Sequence, residues 1–453
     1  MTIRFIVLAA GKGTRMKSAL PKVLHRLAEK PLLGHVLDTA FSLDPASVTV
    51  VIGHGAELVK ETIAQPVNWA LQTEQMGTGH AVMQGLDGIE QDDIVLVTYG
   101  DVPLTRASTY KKLLDSASSD EMSLLTLIMD DPTGYGRILR NDSGDVIGIV
   151  EQKDASPSEL KIREGNAGVI AVAGGHLKQL LSAIDNNNAQ NEYYLTDIFA
   201  LAHAQGIKIN TVHPDDAWEV DGVNSRIQLA ELERVHQRQI STQLMESGVT
   251  LADPSRLDVR GSLKTGTDSL IDINCVFVGE CEIGSNVVIG PNCQIINSMI
   301  ADGTTVLANC VIEDSVVGTN CDIGPFARIR PGCHLANGVK IGNFCETKKA
   351  IIGEGSKVNH LTYIGDADIG KDVNVGAGTI TCNYDGAFKH QTTIEDDVFI
   401  GSNSALVAPI TIKQGATVGA GSTLSSDAPP EQLTLNRSKQ ISLSGWKRPR
   451  KKR

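Results

Sequence analysis

Two groups of residues in this chain have types and spacings suited to chemistry. The first is Leu8-Ala9-Ala10-Gly11-Lys12-Gly13-Thr14-Arg15-Met16, which follows the apolar run Ile3–Ala10 directly. A glycine-rich turn between a strand and a helix exposes backbone amides that can approach a phosphate chain. Arg15 and Lys22 add positive charge beside it. No Gly-Lys-Ser/Thr closes the stretch, so it is not a Walker loop, and the third glycine of a dinucleotide fingerprint is missing. Taken alone it also fits a tight turn with surface cations. Asp101, in Tyr99-Gly100-Asp101-Val102-Pro103-Leu104, follows the apolar run Ile94–Thr98. At a strand's carboxyl end it can cap a turn. Beside a triphosphate it can bind Mg2+, which takes few protein oxygens and keeps waters and phosphates. Asn224, in Asp221-Gly222-Val223-Asn224, is either a second metal ligand or a helix cap.

The second group is Arg330, Glu346, Lys348, His360, Tyr363, Asn374, Asn383, Tyr384 and Ser402. An imidazole with an unperturbed pKa of about 6.5 can serve as a general base near neutral pH. A single histidine in Val358-Asn359-His360-Leu361-Thr362-Tyr363 is, taken alone, more often structural or merely exposed. Arg330 and Lys348 suit a phosphate, or else surface carboxylates. No cysteine has an activating setting, so an acyl-enzyme is not indicated.

The elements that must position these groups differ between the halves. In the first, short apolar runs at Ile3–Ala10, Val48–Ile52, Ile94–Thr98 and Ser123–Met129 alternate with helical stretches such as Pro31–Ser42 and Ala107–Ala117. That pattern predicts an α/β domain with a largely parallel sheet and a ligand at the strands' carboxyl ends. In the second half, aliphatics recur every six residues: Ile283, Ile289 and Ile295; Val317, Ile323, Ile329, Leu335 and Ile341; Ile352, Val358 and Ile364; Ile400, Leu406, Ile412, Val418 and Leu424. So short a repeat cannot bury its own apolar residues, and its coils must stack around one core. At about 18 residues per coil, the region 249–425 holds on the order of nine or ten coils, stopped by Asp427-Ala428-Pro429-Pro430. The period fails from Thr381 to Thr393, an insertion of the sort that builds a site on a rigid support. Between the halves, Asn224–Glu246 reads as a linker helix.

Bulk properties narrow the class. The chain has 453 residues, enough for two or three domains, with 41% hydrophobic and 21% charged residues and no apolar run that could span a bilayer. A net charge of −12 disfavours nucleic acid as a partner. The basic end, Lys447, Arg448, Arg450, Lys451, Lys452 and Arg453, is expected to be a solvated tail. The eight cysteines lie beyond residue 274 with no CxxC pair. Cys281, Cys293, Cys321 and Cys333 each precede a repeat aliphatic by two, which predicts buried reduced thiols rather than disulfides or zinc ligands. No signal-peptide pattern opens the sequence, and the expectation is a cytoplasmic protein.

The string Leu-Ala-Ala-Gly-x-Gly-Thr-Arg with Pro21-Lys22 downstream resembles the signature of the sugar-phosphate nucleotidyltransferases. Fused through a helix to a hexapeptide solenoid with the 381–393 insertion, it resembles, over essentially the whole chain, the bifunctional bacterial N-acetylglucosamine-1-phosphate uridylyltransferase/glucosamine-1-phosphate N-acetyltransferases. The resemblance implies a Rossmann-like nucleotidyltransferase domain at 1–226, a linker helix at 227–247 and a left-handed parallel β-helix at 248–453. It implies that Leu8, Ala9, Ala10, Gly11, Lys22, Gln72, Gly77, Thr78, Tyr99, Gly100 and Asp101 hold the uridine nucleotide. The acetamido sugar would meet Gly136, Glu151, Asn166 and Asn224, with Mg2+ on Asp101 and Asn224 and Arg15 beside the phosphates. In the β-helix it implies His360 as base, assisted by Glu346. Arg330, Lys348, Tyr363 and Asn374 would hold the sugar phosphate, and Ala377, Asn383, Tyr384, Ser402, Ala420 and Arg437 acetyl-CoA, the co-substrate. The substrates would be UTP, N-acetylglucosamine-1-phosphate, glucosamine-1-phosphate and acetyl-CoA, and the assembly a homotrimer. Two other readings stand beside this one: a nucleotidyltransferase whose β-helix only assembles or regulates, and a non-catalytic scaffold with a nucleotide-sensing domain.

Overall fold

The computed structural model describes residues 2–449. The first unit, ending at His236, is built on one sheet ordered Lys208–Val212, Glu121–Ile128, Glu164–Ala173, Ile94–Tyr99, Ile3–Ala9, Ser47–Ile52, Asn68–Leu71. Alternation along Ile3–Ala9 sends Phe5, Val7 and Ala9 into one buried layer and Ile6 and Leu8 into the other. Ile3–Ala9 runs parallel to both Ser47–Ile52 and Ile94–Tyr99. The sheet is mixed, however, because Glu164–Ala173 runs antiparallel to both its neighbours. Leu8 and Tyr99 are register partners, so the glycine-rich turn and the Tyr99-Gly100-Asp101 segment leave the sheet at the same edge.

Arg226–Glu246 is one helix of 21 residues, and the division between the two compact units falls inside it, between His236 and Gln237. Leu232 packs with Met16, Leu27, Leu32, Leu104 and Val223, whereas Leu244 joins the core of the second unit. No helix among the described residues is long and apolar enough to cross a membrane.

The second unit is a stack of short parallel strands. Eleven of them line one face, from Thr250–Leu251 to Leu433–Thr434. Every repeat aliphatic named above lies in its single core. Glu280 N–H reaches Asn297 across 17 residues and Thr319 N–H reaches Asn337 across 18, one coil each, whereas Lys371 N–H reaches Asp396 across 25 where the insertion lengthens the coil. The proline-rich segment does not end the stack as expected. Ala428 bridges Ile412, and Leu433–Thr434 then adds a last rung on Thr417–Val418. Ten of the eleven strands lie within 249–425, in line with nine or ten coils, and the rung after the prolines is the one beyond that range. Seven of the eight cysteines are buried and all are free; burial pushes the Cys275 thiol up to about 12. Asn436–Pro449 has no regular structure, and Arg450–Arg453 of the basic run lie outside the described residues.

Candidate active sites

In the first unit the glycine-rich turn is shaped by what it must pass. Gly13 has a φ of 58°, and a Cβ there would lie 2.7 Å from Lys22 Cβ, so only glycine lets Lys22 keep its place. Lys22 follows Pro21 at the start of a short 3-10 turn, Lys22–Leu24. Its ammonium donates to the Asp101 carboxylate, and to Asn224 Oδ1 at 3.0 Å. Gly100 N–H donates to Leu8 O at 2.9 Å, and Val223 N–H to Asp101 O at 2.9 Å, which is how the chain brings Asn224 beside Asp101. The capping role falls to Ser225, whose Oγ accepts from Gln228 N–H at 3.3 Å, leaving the Asn224 side chain to face Lys22. One carboxylate and one amide oxygen thus converge on a single cationic nitrogen, a donor set that fits Mg2+ with phosphate oxygens and waters completing its shell.

A cleft of about 230 Å3 is lined by Leu8, Ala9, Ala10, Gly11, Lys22, Gln72, Gly77, Thr78, Tyr99 and Asp101, joined by Gln75 and Glu192. Gly100 is buried directly behind Tyr99 and Asp101. Gln72 is 3% exposed and its amide donates to Gly77 O at 3.2 Å, so that a buried polar head supports the turn. At Gly77, φ is 109° and a Cβ would lie 2.5 Å from Tyr193 O, so glycine is required there too. A second cleft, of about 460 Å3, is lined by Arg15, Tyr99, Asp101, Tyr135, Asp221 and Asn224 among others, and shares Tyr99 and Asp101 with the first. Asn166 N–H donates to Gly136 O at 2.9 Å and Asn166 Oδ1 accepts from Gly168 N–H at 2.8 Å; Gly168 in turn backs the Tyr99 ring. Glu151 sits against Gly136 and accepts from Thr196 Oγ1 at 3.0 Å. Burial pushes the Glu151 carboxyl up, and burial with Glu151 and Asp101 nearby pushes the Tyr99 phenol well above its ordinary range. Gln75, Tyr135 and Glu192 were missed from sequence because none belongs to a recognisable motif.

In the second unit, parallel register stacks the candidates on successive coils. Arg328 pairs with Glu346 and Glu346 with Tyr363, while Lys348 pairs with Gly365. Arg330 Nη1 donates to Glu346 Oε1 at 2.7 Å, and this carboxylate raises the guanidinium's pKa further. His360 Nδ1 lies 3.0 Å from Asn343 Oδ1. The chain therefore sets Asn343 against the imidazole and Glu346 against Arg330, where sequence reasoning had expected Glu346 to orient His360. The insertion is a small hairpin: Tyr384 bridges Lys389, whose ammonium lies 4.8 Å from the centre of the Tyr384 ring. Asp385 receives the backbone N–H groups of Ala387 and Phe388 and pairs with His390 at 2.7 Å, which holds its carboxyl far below the usual range. Asn383 donates to Asp366, and its amide and the Tyr363 hydroxyl both lie over Gly365. Asn374 is partly buried in the strand that pairs with Lys357–His360. Asn403 N–H donates to Ala377 O at 2.7 Å and Gly421 N–H to Ser402 O at 2.8 Å, so Ala377, Ser402 and Ala420 form one column, with Arg437 beside Gly419 at its end.

An α/β unit with an acidic and a basic side chain at its glycine-rich edge, and a parallel hexapeptide solenoid that carries His360 and an inserted hairpin, define a nucleotidyltransferase-type protein with a β-helical second unit. Residues 5–139 match the MobA-like NTP transferase domain family, 259–345 the GMPPB C-terminal domain, and 391–426 the hexapeptide repeat of succinyl-transferase. The bifunctional protein GlmU of Marinobacter nauticus is 55% identical over 99% of this chain and 99% of its own length. That of Burkholderia vietnamiensis is 54% identical over 100% of both. A nucleotidyl transferase from Methanothermobacter thermautotroptrophicus aligns with 52% of this chain and 99% of its own, at 18% identity and a TM-score of 0.39. The chain belongs to the bifunctional GlmU family.

Proposed function

We propose that this chain makes UDP-N-acetylglucosamine in two steps. Acetyl-CoA first acetylates glucosamine-1-phosphate in the second unit, and UTP then uridylylates the product in the first, releasing pyrophosphate. The carrying observation is that one chain holds two separate constellations. Lys22, Asp101 and Asn224 converge at the sheet edge, and His360 stands on the coil stack against Asn343.

In the uridylyl step the glycine-rich turn and Lys22 cradle the phosphates, and Gln72, Gly77 and Thr78 hold the uracil side of the cleft. The cleft that contains Arg15, Asp101 and Asn224 takes the sugar phosphate, with Gly136, Glu151 and Asn166 toward its acetamido group. An oxygen of the sugar phosphate attacks the α-phosphorus in line, and no protein nucleophile is needed. Positioning and charge neutralisation supply the acceleration. Asp101 and Asn224 would hold Mg2+, which supplies further neutralisation of the triphosphate.

In the acetyl step, His360 takes a proton from the 2-amino group as that nitrogen attacks the thioester carbonyl, and CoA thiolate departs. Arg330, Lys348, Tyr363 and Asn374 hold the sugar phosphate, while the Ala377–Ser402–Ala420 column, Asn383, Tyr384 and Arg437 hold acetyl-CoA. An amine is already a competent nucleophile, so direct transfer suffices. We take the active assembly to be a trimer. One corner of the stack carries Asn274, Asn292 and Asn309 in early coils and then Phe326, Phe344 and Leu361, all at positive φ. These last three are 49%, 55% and 64% exposed, and the two phenyl rings stack at 5.2 Å. Bulky apolar residues in left-handed backbone and facing water are best explained by cover from another copy. We place the enzyme in the cytoplasm.

The test is CoA thiol release from acetyl-CoA on adding glucosamine-1-phosphate, with UTP and Mg2+ left out. Release that depends on the amino sugar is expected. No release, from protein that still forms pyrophosphate from UTP and N-acetylglucosamine-1-phosphate, would reduce the β-helix to a scaffold.

A further inference from the structure

We propose that Asn343 is the positioning residue of the acetyl-transfer base, an inference that rests on the acetyltransferase reading above. Strands Lys340–Asn343 and Lys357–His360 pair in parallel, and their register sets Asn343 opposite His360 on the adjacent coil. Asn343 Oδ1 lies 3.0 Å from His360 Nδ1. A carboxamide oxygen can only accept, so Nδ1 must carry the hydrogen. In the neutral ring Nε2 is then the bare nitrogen, on the side away from Asn343 and open to an incoming amine. The rigid stack fixes the ring twice, through the strand register and through this bond.

The identity of the partner has an electrostatic consequence. A carboxylate on Nδ1 would favour the imidazolium form, whereas a carboxamide selects the same tautomer without contributing a charge. The nearby carboxylate that sequence reasoning favoured, Glu346, is engaged by Arg330 at 2.7 Å. On the two strands that carry the pair, the charged groups are Lys340, which is bound to Asp322 at 2.7 Å, and Lys357. Strands Glu346–Ile352 and Tyr363–Ile369 add Lys348, Lys349, Tyr363, Asp366, which accepts from Asn383, and Asp368, and the next coil places neutral Asn374 opposite Lys357. A neutral amide partner therefore separates two tasks that a carboxylate would merge: choosing the tautomer and setting the proton affinity.

The experiment measures acetyl transfer by CoA release across pH for the full chain and for Asn343→Ala, Asn343→Asp and His360→Ala, with uridylyl transfer and the melting midpoint as controls. Asn343→Ala is expected to lower kcat roughly 10- to 100-fold, the usual range for a lost outer-shell partner, with KM for acetyl-CoA within about twofold. Asn343→Asp should recover much of kcat and move the acidic limb of kcat/KM to higher pH by about one unit, because the new carboxylate favours the protonated ring. A structural role alone would not move that limb. The proposal is overturned if Asn343→Ala keeps kcat within about twofold of the parent, or if Asn343→Asp leaves the limb in place. Should Asn343→Ala fail to fold, the near-isosteric Asn343→Asp decides by its limb. If His360→Ala itself retains acetyl transfer, the assignment of the base falls; if His360→Ala is inactive and Asn343→Ala is fully active, only the present proposal falls.

Discussion

Replacing Gly365 by alanine should damage acetyl transfer selectively, and the size of the effect follows from the packing around one absent methyl. Gly365 sits in the strand Tyr363–Ile369, and its N–H donates to Thr381 Oγ1 at 2.8 Å. A Cβ built there would lie 2.3 Å from the Tyr363 hydroxyl oxygen and 2.8 Å from Asn383 Nδ2. Ordinary contact begins near 3.4 Å, so the Tyr363 hydroxyl must retreat by about 1 Å and the Asn383 amide by roughly half that. Both side chains are proposed to hold substrate. A misplacement of about 1 Å can cost on the order of 100-fold in rate, equivalent to about 2.7 kcal/mol of transition-state binding. The added methyl enters a packed site, and overpacking of this kind costs about 1–3 kcal/mol, which the shared core of the stack can absorb. The assay is kcat/KM for CoA release, with uridylyl transfer and the melting midpoint read on the same preparation. A fall of about 100-fold in the first with the second unchanged is expected. Acetyl transfer within about threefold of the parent would show that Tyr363 and Asn383 do not act at the site.

Charges placed on the apolar corner, in the double variant Phe326→Asp with Phe344→Asp, should dissociate the assembly; light scattering should report a monomer, with acetyl transfer lost and uridylyl transfer kept. Within the first unit, burial and the neighbouring His35 hold the His236 pKa down to about 4. The unfolded imidazole, at about 6.5, therefore binds its proton first as pH falls, so the His236 contribution is complete above pH ~6.5 and is lost down to about pH 4. His236→Gln should flatten the acid side of the melting curve by an amount on the order of 1–3 kcal/mol. Asp197, pushed up to about 6, acts with opposite sign over an overlapping window, so the comparison is the parent minus the variant at each pH. An unchanged pH dependence in His236→Gln would refute the assignment.

Periodicity made the second unit readable, since one residue in six has to enter a shared core and each named aliphatic does so. The last rung was hidden because Leu433–Thr434 pairs beyond two prolines, where local sequence argues for a stop. In the first unit the parallel strands were legible as apolar runs, but the antiparallel direction of Glu164–Ala173 depends on long-range pairing that no local pattern encodes. The same limit applies to the sites. Lys22, Asp101 and Asn224 carry recognisable chemistry, yet their convergence requires a sheet edge and a backbone bond from Val223 to Asp101. Asn343 had no signal at all. An asparagine in a solenoid reads as a corner residue, and only the coil register reveals that it faces His360.

The central claim is that two independent sites share one chain, and it is tested most directly by assaying both activities in His360→Ala and in Asp101→Ala. The account predicts a double dissociation: His360→Ala abolishes CoA release and retains pyrophosphate formation, and Asp101→Ala does the reverse. A folded variant of either kind that had lost both activities, or neither, would contradict it.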